Sequence, residues 1–233
     1  MEQNESRYEL EKLMIDDYVI YQSKDLYRFT SDAVMLSRFA QSDKKTVADI
    51  CSGSGIIGLH YYALCKIKPQ KVVLCELQKE LADMSAASVK KNGLENIFTV
   101  INGDINALSE RGEYDLVLCN PPYKKRGSGY PSANGHLAIC KSELRVTLDE
   151  IVSVAAKLLK RRGSLVMCNA VDRLQETFAA FSKYGLSPDR LAFVTAKAGG
   201  APYLFMIEGI KGVKTALSVL PEITNSSKDF SGA

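Results

Sequence analysis

The sequence predicts an α/β fold: a seven-stranded, mostly parallel sheet with helices on both faces and a C-terminal antiparallel hairpin at one edge. From Lys45 onward, short runs rich in β-branched residues alternate with longer stretches of helical periodicity, the order expected of parallel strands joined by helical crossovers. A glycine-spaced segment, Asp49 to Gly58, closes the first run and opens the first helix after it, as in the fold-back of nucleotide-type sites. The last two runs are joined only by Lys197-Ala198-Gly199-Gly200-Ala201-Pro202. That link is too short for a helical crossover, so the two strands pair antiparallel.

Ahead of the sheet, residues 1–28 read as a short appendage, compatible with a hairpin. Phe29-Thr30-Ser31-Asp32 supplies N-cap side chains and apolar residues follow at helical spacing, so a helix is expected to run to about Phe39 or Ala40. Strands are expected at Thr46 to Ile50, Lys71 to Cys75, Ile97 to Ile101, Tyr114 to Cys119, Ser164 to Cys168, Leu191 to Ala196 and Tyr203 to Glu208. Between them lie helices at about Ile56 to Lys66, Gln78 to Asn92, Leu148 to Lys160 and Arg173 to Tyr184, of lengths that suit α/β units. After Glu208 the periodicity fades and the tail is expected to be mobile. The chain thus divides into an N-terminal extension with its helix, 1–44, a sheet-bearing domain, 45–210, and a tail, 211–233.

At 233 residues the chain can bury the core of one domain. Thirty Lys and Arg against 27 Asp and Glu leave a net charge of +3, which permits an RNA partner without arguing for one. Lys124-Lys125-Arg126 is placed for phosphate because it directly follows Tyr123, whereas Lys160-Arg161-Arg162 reads as the solvated end of a helix, where the macrodipole favours cations. The six cysteines, at 51, 65, 75, 119, 140 and 168, include no Cys-x-x-Cys pair. They read as small buried hydrophobes of a reducing cytoplasm, with neither a metal site nor a disulfide framework. Met1 to Lys12 is acidic and polar, and no apolar stretch of about 18 residues follows, so neither secretion nor a membrane span is expected.

The chemistry concentrates at Asn120-Pro121-Pro122-Tyr123, which ends the apolar run Tyr114 to Cys119. Each proline fixes its own φ and holds the residue before it extended, so the loop is stiff. The Asn120 amide oxygen and the adjacent carbonyls then form a fixed set of acceptors beside an aromatic ring, suited to the exocyclic amino group of a planar substrate. The loop Asp49-Ile50-Cys51-Ser52-Gly53-Ser54-Gly55-Ile56-Ile57-Gly58 lets a ligand approach the backbone, and Glu76, at the next strand end, can accept both hydroxyls of an adenosine ribose. This motif alone fits a nicotinamide dinucleotide or S-adenosylmethionine. Asp49 favours the second, because a carboxylate at the helix N-terminus repels a pyrophosphate and attracts a sulfonium or ammonium group. Asp104, in Asn102-Gly103-Asp104, can accept from an adenine amino group, or cap a turn.

In this order, the Asp49 to Gly58 loop, Glu76, Asn102-Gly103-Asp104 and Asn120-Pro121-Pro122-Tyr123 resemble the signatures of amino-group methyltransferases, a superfamily acting on adenine N6, cytosine N4, guanine N2 and protein glutamine N5. Asp25-Leu26-Tyr27-Arg28-Phe29-Thr30-Ser31-Asp32-Ala33-Val34, with Gly127-Ser128-Gly129, is similar to the bacterial enzymes that methylate adenine N6 in valine tRNA beside the anticodon. The resemblance runs from about Gln22 to Pro221. Cys51-Ser52 departs from the usual Gly-Thr, Tyr27 from the usual glycine, and the tail from the usual acidic, tyrosine-bearing ending. The resemblance implies a Rossmann-like class I methyltransferase fold and S-adenosylmethionine as cofactor, yielding S-adenosylhomocysteine. It also implies a monomer that needs no metal and acts on tRNA. Asp49, Cys51, Gly53, Gly55, Glu76, Leu77, Asp104, Ile105 and Asn120 would hold the cofactor. Asn120 and Pro121 would accept the amine hydrogens, Pro122 would stiffen the loop, Tyr123 would stack on the base, and Lys124, Lys125 and Arg126 would hold phosphates. The alternatives are glutamine-N5 methylation of a release factor, whose enzymes carry a longer helical N-terminal domain, and guanine-N2 methylation of RNA. Of the two histidines, His60 reads as structural, and His136 lies on the loop after the active site, within reach of RNA.

Overall fold

The computed structural model describes residues 8–23, 30–40, 43–121 and 146–225. A hairpin, β1 (Tyr8–Lys12) and β2 (Val19–Ser23), precedes helix α1 (Ser31–Phe39). There follow β3 (Thr46–Ile50), α2 (Ile56–Leu64), β4 (Lys71–Glu76), α3 (Lys79–Lys91), β5 (Phe98–Asn102) and β6 (Tyr114–Cys119). The C-terminal part adds α4 (Leu148–Leu158), β7 (Leu159–Ala170), α5 (Leu174–Lys183), β8 (Leu186–Thr195), β9 (Pro202–Lys211), β10 (Ser218–Val219) and β11 (Ile223–Thr224). The sheet runs in the order β10-β8-β9-β7-β6-β3-β4-β5, with β11 also on β8. Strands β3 to β7 are mutually parallel, and β9 lies antiparallel between β7 and β8. The expected parallel sheet with an edge hairpin is therefore present, extended by two short tail strands.

Alternation along the strands sorts side chains into two cores. On β6, Leu116 and Leu118 face α1 and α2 through Leu36, Ile57 and Leu59, while Val117 and Cys119 face the side of Ile151, Ala155 and Leu158 on α4. Helix α4 begins with a reciprocal capping box between Thr147 and Glu150. The hairpin is fastened to α3: Asn92 Oδ1 accepts from the Val19 N–H at 2.9 Å, its Nδ2 donates to Val19 O at 2.7 Å, and the Tyr21 N–H donates to Ser88 Oγ at 2.9 Å. At the far edge, Arg190 pairs with buried Glu208 at 2.6 Å and donates to Phe39 O at 2.9 Å, tying the C-terminal hairpin to α1.

Two expectations need correction. Helix α4 stops at Leu158, so Lys160, Arg161 and Arg162 open strand β7 instead of ending a helix. Fully buried Leu159 pairs with Tyr114, and Lys160 reaches Asp115 at 2.7 Å, so side-chain burial and an ion pair hold this segment in the sheet. The tail does not run free through residue 225, because β10 and β11 pair in parallel with β8 and satisfy its edge. Among the described residues, no helix is long and apolar enough to cross a membrane.

Close packing dictates one glycine in the hairpin. A Cβ on Gly209 would collide with a ring carbon of Phe181, itself fully buried. Gly209→Ala is expected to destabilise the fold by about 1–3 kcal/mol, read as a lower urea midpoint at unchanged slope. A native-like midpoint would mean that the ring moves aside without cost.

Candidate active site

Chain order reverses around β3, whose neighbours are β4 on one side and β6 on the other. In open α/β sheets the crevice at such a point, beyond the carboxyl ends of the strands, is where ligands bind. The loop after β3 turns sharply there. Cys51, Gly53 and Gly55 have φ of 58°, 57° and 81°, and the Gly55 N–H donates to Ser52 O at 2.8 Å before α2 begins. Cys51 thus occupies a left-handed conformation natural to glycine. Gly58 is fixed by contact: a Cβ there would meet Leu74 Cδ2 at 2.5 Å and Asp49 Oδ2 at 3.3 Å.

Asp49 lies beneath this loop, fully buried. Its Oδ2 accepts the Gly58 N–H at 2.9 Å, while Oδ1 has no hydrogen-bond partner. Burial pushes the carboxyl up to about 8, against the Gly58 hydrogen bond and with help from the charge of Glu76. The site therefore holds a carboxyl group stripped of water, protonated at neutral pH, whose Oδ1 lacks a protein donor and whose ionised form a cation set against it would favour.

Glu76 ends β4 and is oriented by the backbone: Oε2 accepts the Gly53 N–H and Oε1 the Gln78 N–H, both at 2.8 Å. Burial raises its pKa, and these bonds oppose the rise. Each oxygen keeps a further lone pair. Leu77 beside it is 40% exposed, an apolar surface at the rim. Asn102 donates to the carbonyls of Glu76 and Leu77, both at 3.0 Å, clamping the ends of β4 and β5 together. Asp104 is exposed and caps the 3₁₀ turn Ile105–Ala107, its Oδ1 accepting from the Asn106 N–H at 2.8 Å and Asn106 Nδ2 at 3.0 Å. Ile105 is buried in the core face below.

Asn120 follows β6. Ile50 pairs with Cys119, which puts Asn120 beside the glycine loop. It is half-buried, and Pro121 after it is buried. The Cys168 thiol donates to Asn120 Oδ1 at 3.1 Å. Pro122, Tyr123, Lys124, Lys125, Arg126, Gly127 to Gly129, His136 and Cys140 lie outside the described residues. The structure thus gathers Asp49, Cys51, Gly53, Gly55, Glu76, Leu77, Asp104, Ile105, Asn120 and Pro121 at the ends of four adjacent strands. His60 stands apart, 2% exposed and 2.6 Å from Ser37 Oγ, its pKa lowered to about 4 by burial and by Arg38. It serves the packing of α1 on α2.

Sequence reasoning missed the contact of Cys168 with Asn120, and also a polar group formed by Asp32, Tyr203 and Asn225. In that group Tyr203 donates to Asp32 Oδ1 at 3.2 Å and accepts from Asn225 Nδ2 at 2.6 Å, joining α1, β9 and the tail. Among the described residues, no cluster of metal-ligand type occurs.

Comparisons with known proteins agree with this geometry. The family model "Methyltransferase small domain" matches residues 29–181. The tRNA1(Val) (adenine(37)-N6)-methyltransferase of Bacteroides thetaiotaomicron is 22% identical over 82% of this chain and 79% of its own. The enzyme of the same name from Tolumonas auensis is 27% identical over 81% and 78%. A crystal structure from Agrobacterium tumefaciens, described as a predicted O-methyltransferase, superposes with a TM-score of 0.64 at 17% identity, covering 84% of this chain and 90% of that one. That likeness establishes the Rossmann-like class I methyltransferase fold, and the match over most of the chain places this protein in the methyltransferase small domain family.

Proposed function

We propose that the protein is an S-adenosylmethionine-dependent methyltransferase acting on an exocyclic amino group, adenine N6 of a tRNA, with valine tRNA beside the anticodon as the first candidate. The observation that carries the reading is the register of β3 against β6, in which Ile50 pairs with Cys119 and Asn120 follows alongside the glycine loop. The names of the two relatives supply the RNA and the atom.

The residues present fit the cofactor. Asp49 Oδ1, buried without a partner, matches an ammonium donor; Glu76, with both oxygens oriented by backbone N–H groups, matches a ribose diol; exposed Leu77 offers a surface for a planar base. Asp104 keeps its turn hydrogen bonds and faces solvent, so it would reach the base amino group with its outer oxygen. S-Adenosylmethionine supplies, when bound, an electrophilic methyl group.

The chain's own task is to prepare the amine. An adenine N6 lone pair is delocalised into the ring, so the nitrogen is a poor nucleophile. Asn120 Oδ1 and the Pro121 carbonyl would accept its two N–H bonds, orient the nitrogen, and stabilise the positive charge that develops there. Pro122 would hold the loop stiff. Tyr123 would stack on the splayed base, a contact worth roughly 1–3 kcal/mol, and Lys124, Lys125 and Arg126 would neutralise neighbouring phosphates. On this reading residues 45–210 form the methyltransferase domain, 1–44 its N-terminal extension and helix and 211–233 its C-terminal tail, and the protein works as a monomer in the cytoplasm.

The state of Asp49 gives this reading a pH signature. Folded Asp49 keeps its proton up to about pH 8, whereas the unfolded chain loses it near 3.8. Between those values the unfolded chain binds fewer protons, so this group's contribution to stability falls as pH rises from about 4 to 8 and then levels off. An ammonium partner favours the ionised form. S-Adenosylmethionine binding is therefore expected to release a proton at pH 7, and its affinity to rise by up to about tenfold between pH 6 and pH 7. Calorimetry in buffers of different ionisation enthalpy counts the protons, and pH-independent binding without release would remove the ammonium from Asp49.

The functional reading is tested by offering the purified protein radiolabelled S-adenosylmethionine with unmodified bulk tRNA and, separately, with a peptide release factor. Label in the tRNA is the expected result. Label in the release factor alone would move the assignment to glutamine-N5 methylation.

A further inference from the structure

We propose that Cys168 is a positioning residue for Asn120, its thiol holding the amide oxygen toward the amine to be methylated. The inference rests on the role given to Asn120 above. Strands β6 and β7 run parallel with Cys119 opposite Met167, and one further step along both brings Asn120 alongside Cys168. The thiol donates to Asn120 Oδ1 across 3.1 Å. Cys168 is fully buried, in a cluster with Val166, Leu204 and Met206, so water does not compete for its proton and the bond lies in a low dielectric.

The need for such a partner follows from the amide itself. The two ends of a primary amide have nearly the same shape but opposite hydrogen-bonding sense, and half a turn replaces an acceptor by two donors. An inverted Asn120 would present N–H to the N–H of the substrate and could not take its hydrogen. A thiol is a weak donor and a weaker partner still as acceptor: in the productive orientation its S–H meets Oδ1, whereas after inversion Nδ2 would face a sulfur that accepts poorly. An amide oxygen also carries two lone pairs. A positioning bond from the thiol and a substrate bond from the amine can therefore coexist on one amide oxygen. Sulfur takes no part in bond making; it is uncharged throughout and its role is orientation.

Two substitutions separate positioning from mere packing. Cys168→Ala keeps a small apolar side chain and removes the donor; Cys168→Ser keeps a donor and buries a hydroxyl among apolar neighbours. Positioning and packing rank these variants in opposite orders. If Cys168 positions Asn120, Cys168→Ala loses about tenfold in kcat while KM for RNA stays within about twofold of native. Cofactor affinity, measured by calorimetry, stays unchanged on the same scale. Cys168→Ser then recovers most of the rate although it has the lower melting temperature of the two. If Cys168 only fills space, Cys168→Ser is the worse variant in both rate and melting temperature, and the inference falls. Native kcat in Cys168→Ala overturns it equally. Native protein that binds S-adenosylmethionine yet labels neither RNA nor protein overturns the functional reading and this inference together, an outcome distinct from the other two because it appears before any substitution.

Discussion

Alanine in place of Asn120 is expected to lower kcat for methyl transfer by about 10²- to 10³-fold, the range seen when one preorganised charge-stabilising hydrogen bond is removed from an active site. Cofactor affinity should stay within a few-fold, because Asp49, the glycine loop and Glu76 are held by β3, β4 and their own backbone bonds, none of which involves Asn120. The contrast makes the prediction specific: the substitution removes an interaction made with the amine and leaves the donor site standing. Asn120→Asp keeps an acceptor oxygen and should retain more activity than Asn120→Ala. Steady-state kinetics with calorimetric cofactor binding checks both, and full turnover in Asn120→Ala would eliminate the mechanism.

The second large effect is expected at Glu76, with the opposite kinetic pattern. Glu76→Ala removes the acceptor for the N–H groups of Gly53 and Gln78, each now bonded at 2.8 Å, together with the partner proposed for the ribose diol. Hydrogen bonds to a charged group contribute about 1.5–3 kcal/mol, so the cofactor dissociation constant should rise by about 10- to 150-fold. At saturating S-adenosylmethionine most of kcat should return, because Asn120 and Pro121 are untouched. Glu76→Gln, which keeps one acceptor, should fall between the two. Unchanged affinity in Glu76→Ala would show that the diol is held elsewhere.

Much of this architecture could be read from the residues because the relevant signals are local. β-Branched runs bounded by Gly, Asn and Pro mark β3, β4 and β6, and the glycine spacing after Asp49 marks the turn into α2, where φ is positive at Gly53 and Gly55. The edge hairpin followed from the shortness of its link alone. What escaped depends on pairing between distant segments. Lys160 to Arg162 carry the charge of a helix end, but β7 begins at Leu159, whose side chain is buried and paired with Tyr114. Strands β10 and β11 are two residues each, too short for any periodicity, and exist only because β8 offers an edge. Cys168 looked like one more apolar residue of a buried strand, since a strand pattern says which face a side chain takes but not which residue the next strand brings alongside it. Asp104 shows the converse: both its roles were visible, and the turn hydrogen bonds to Asn106 account for one of its oxygens.

Whether Asn120 and Pro121 present acceptors to an adenine N6 is decided by digesting the labelled tRNA and separating its nucleosides by chromatography. The label is expected to elute with N6-methyladenosine, and Asn120→Ala to leave that peak at background. Label in N2-methylguanosine would place the same acceptors on a different base, and label in a ring-nitrogen or ribose product would rule out amino-group methylation by Asn120 and Pro121.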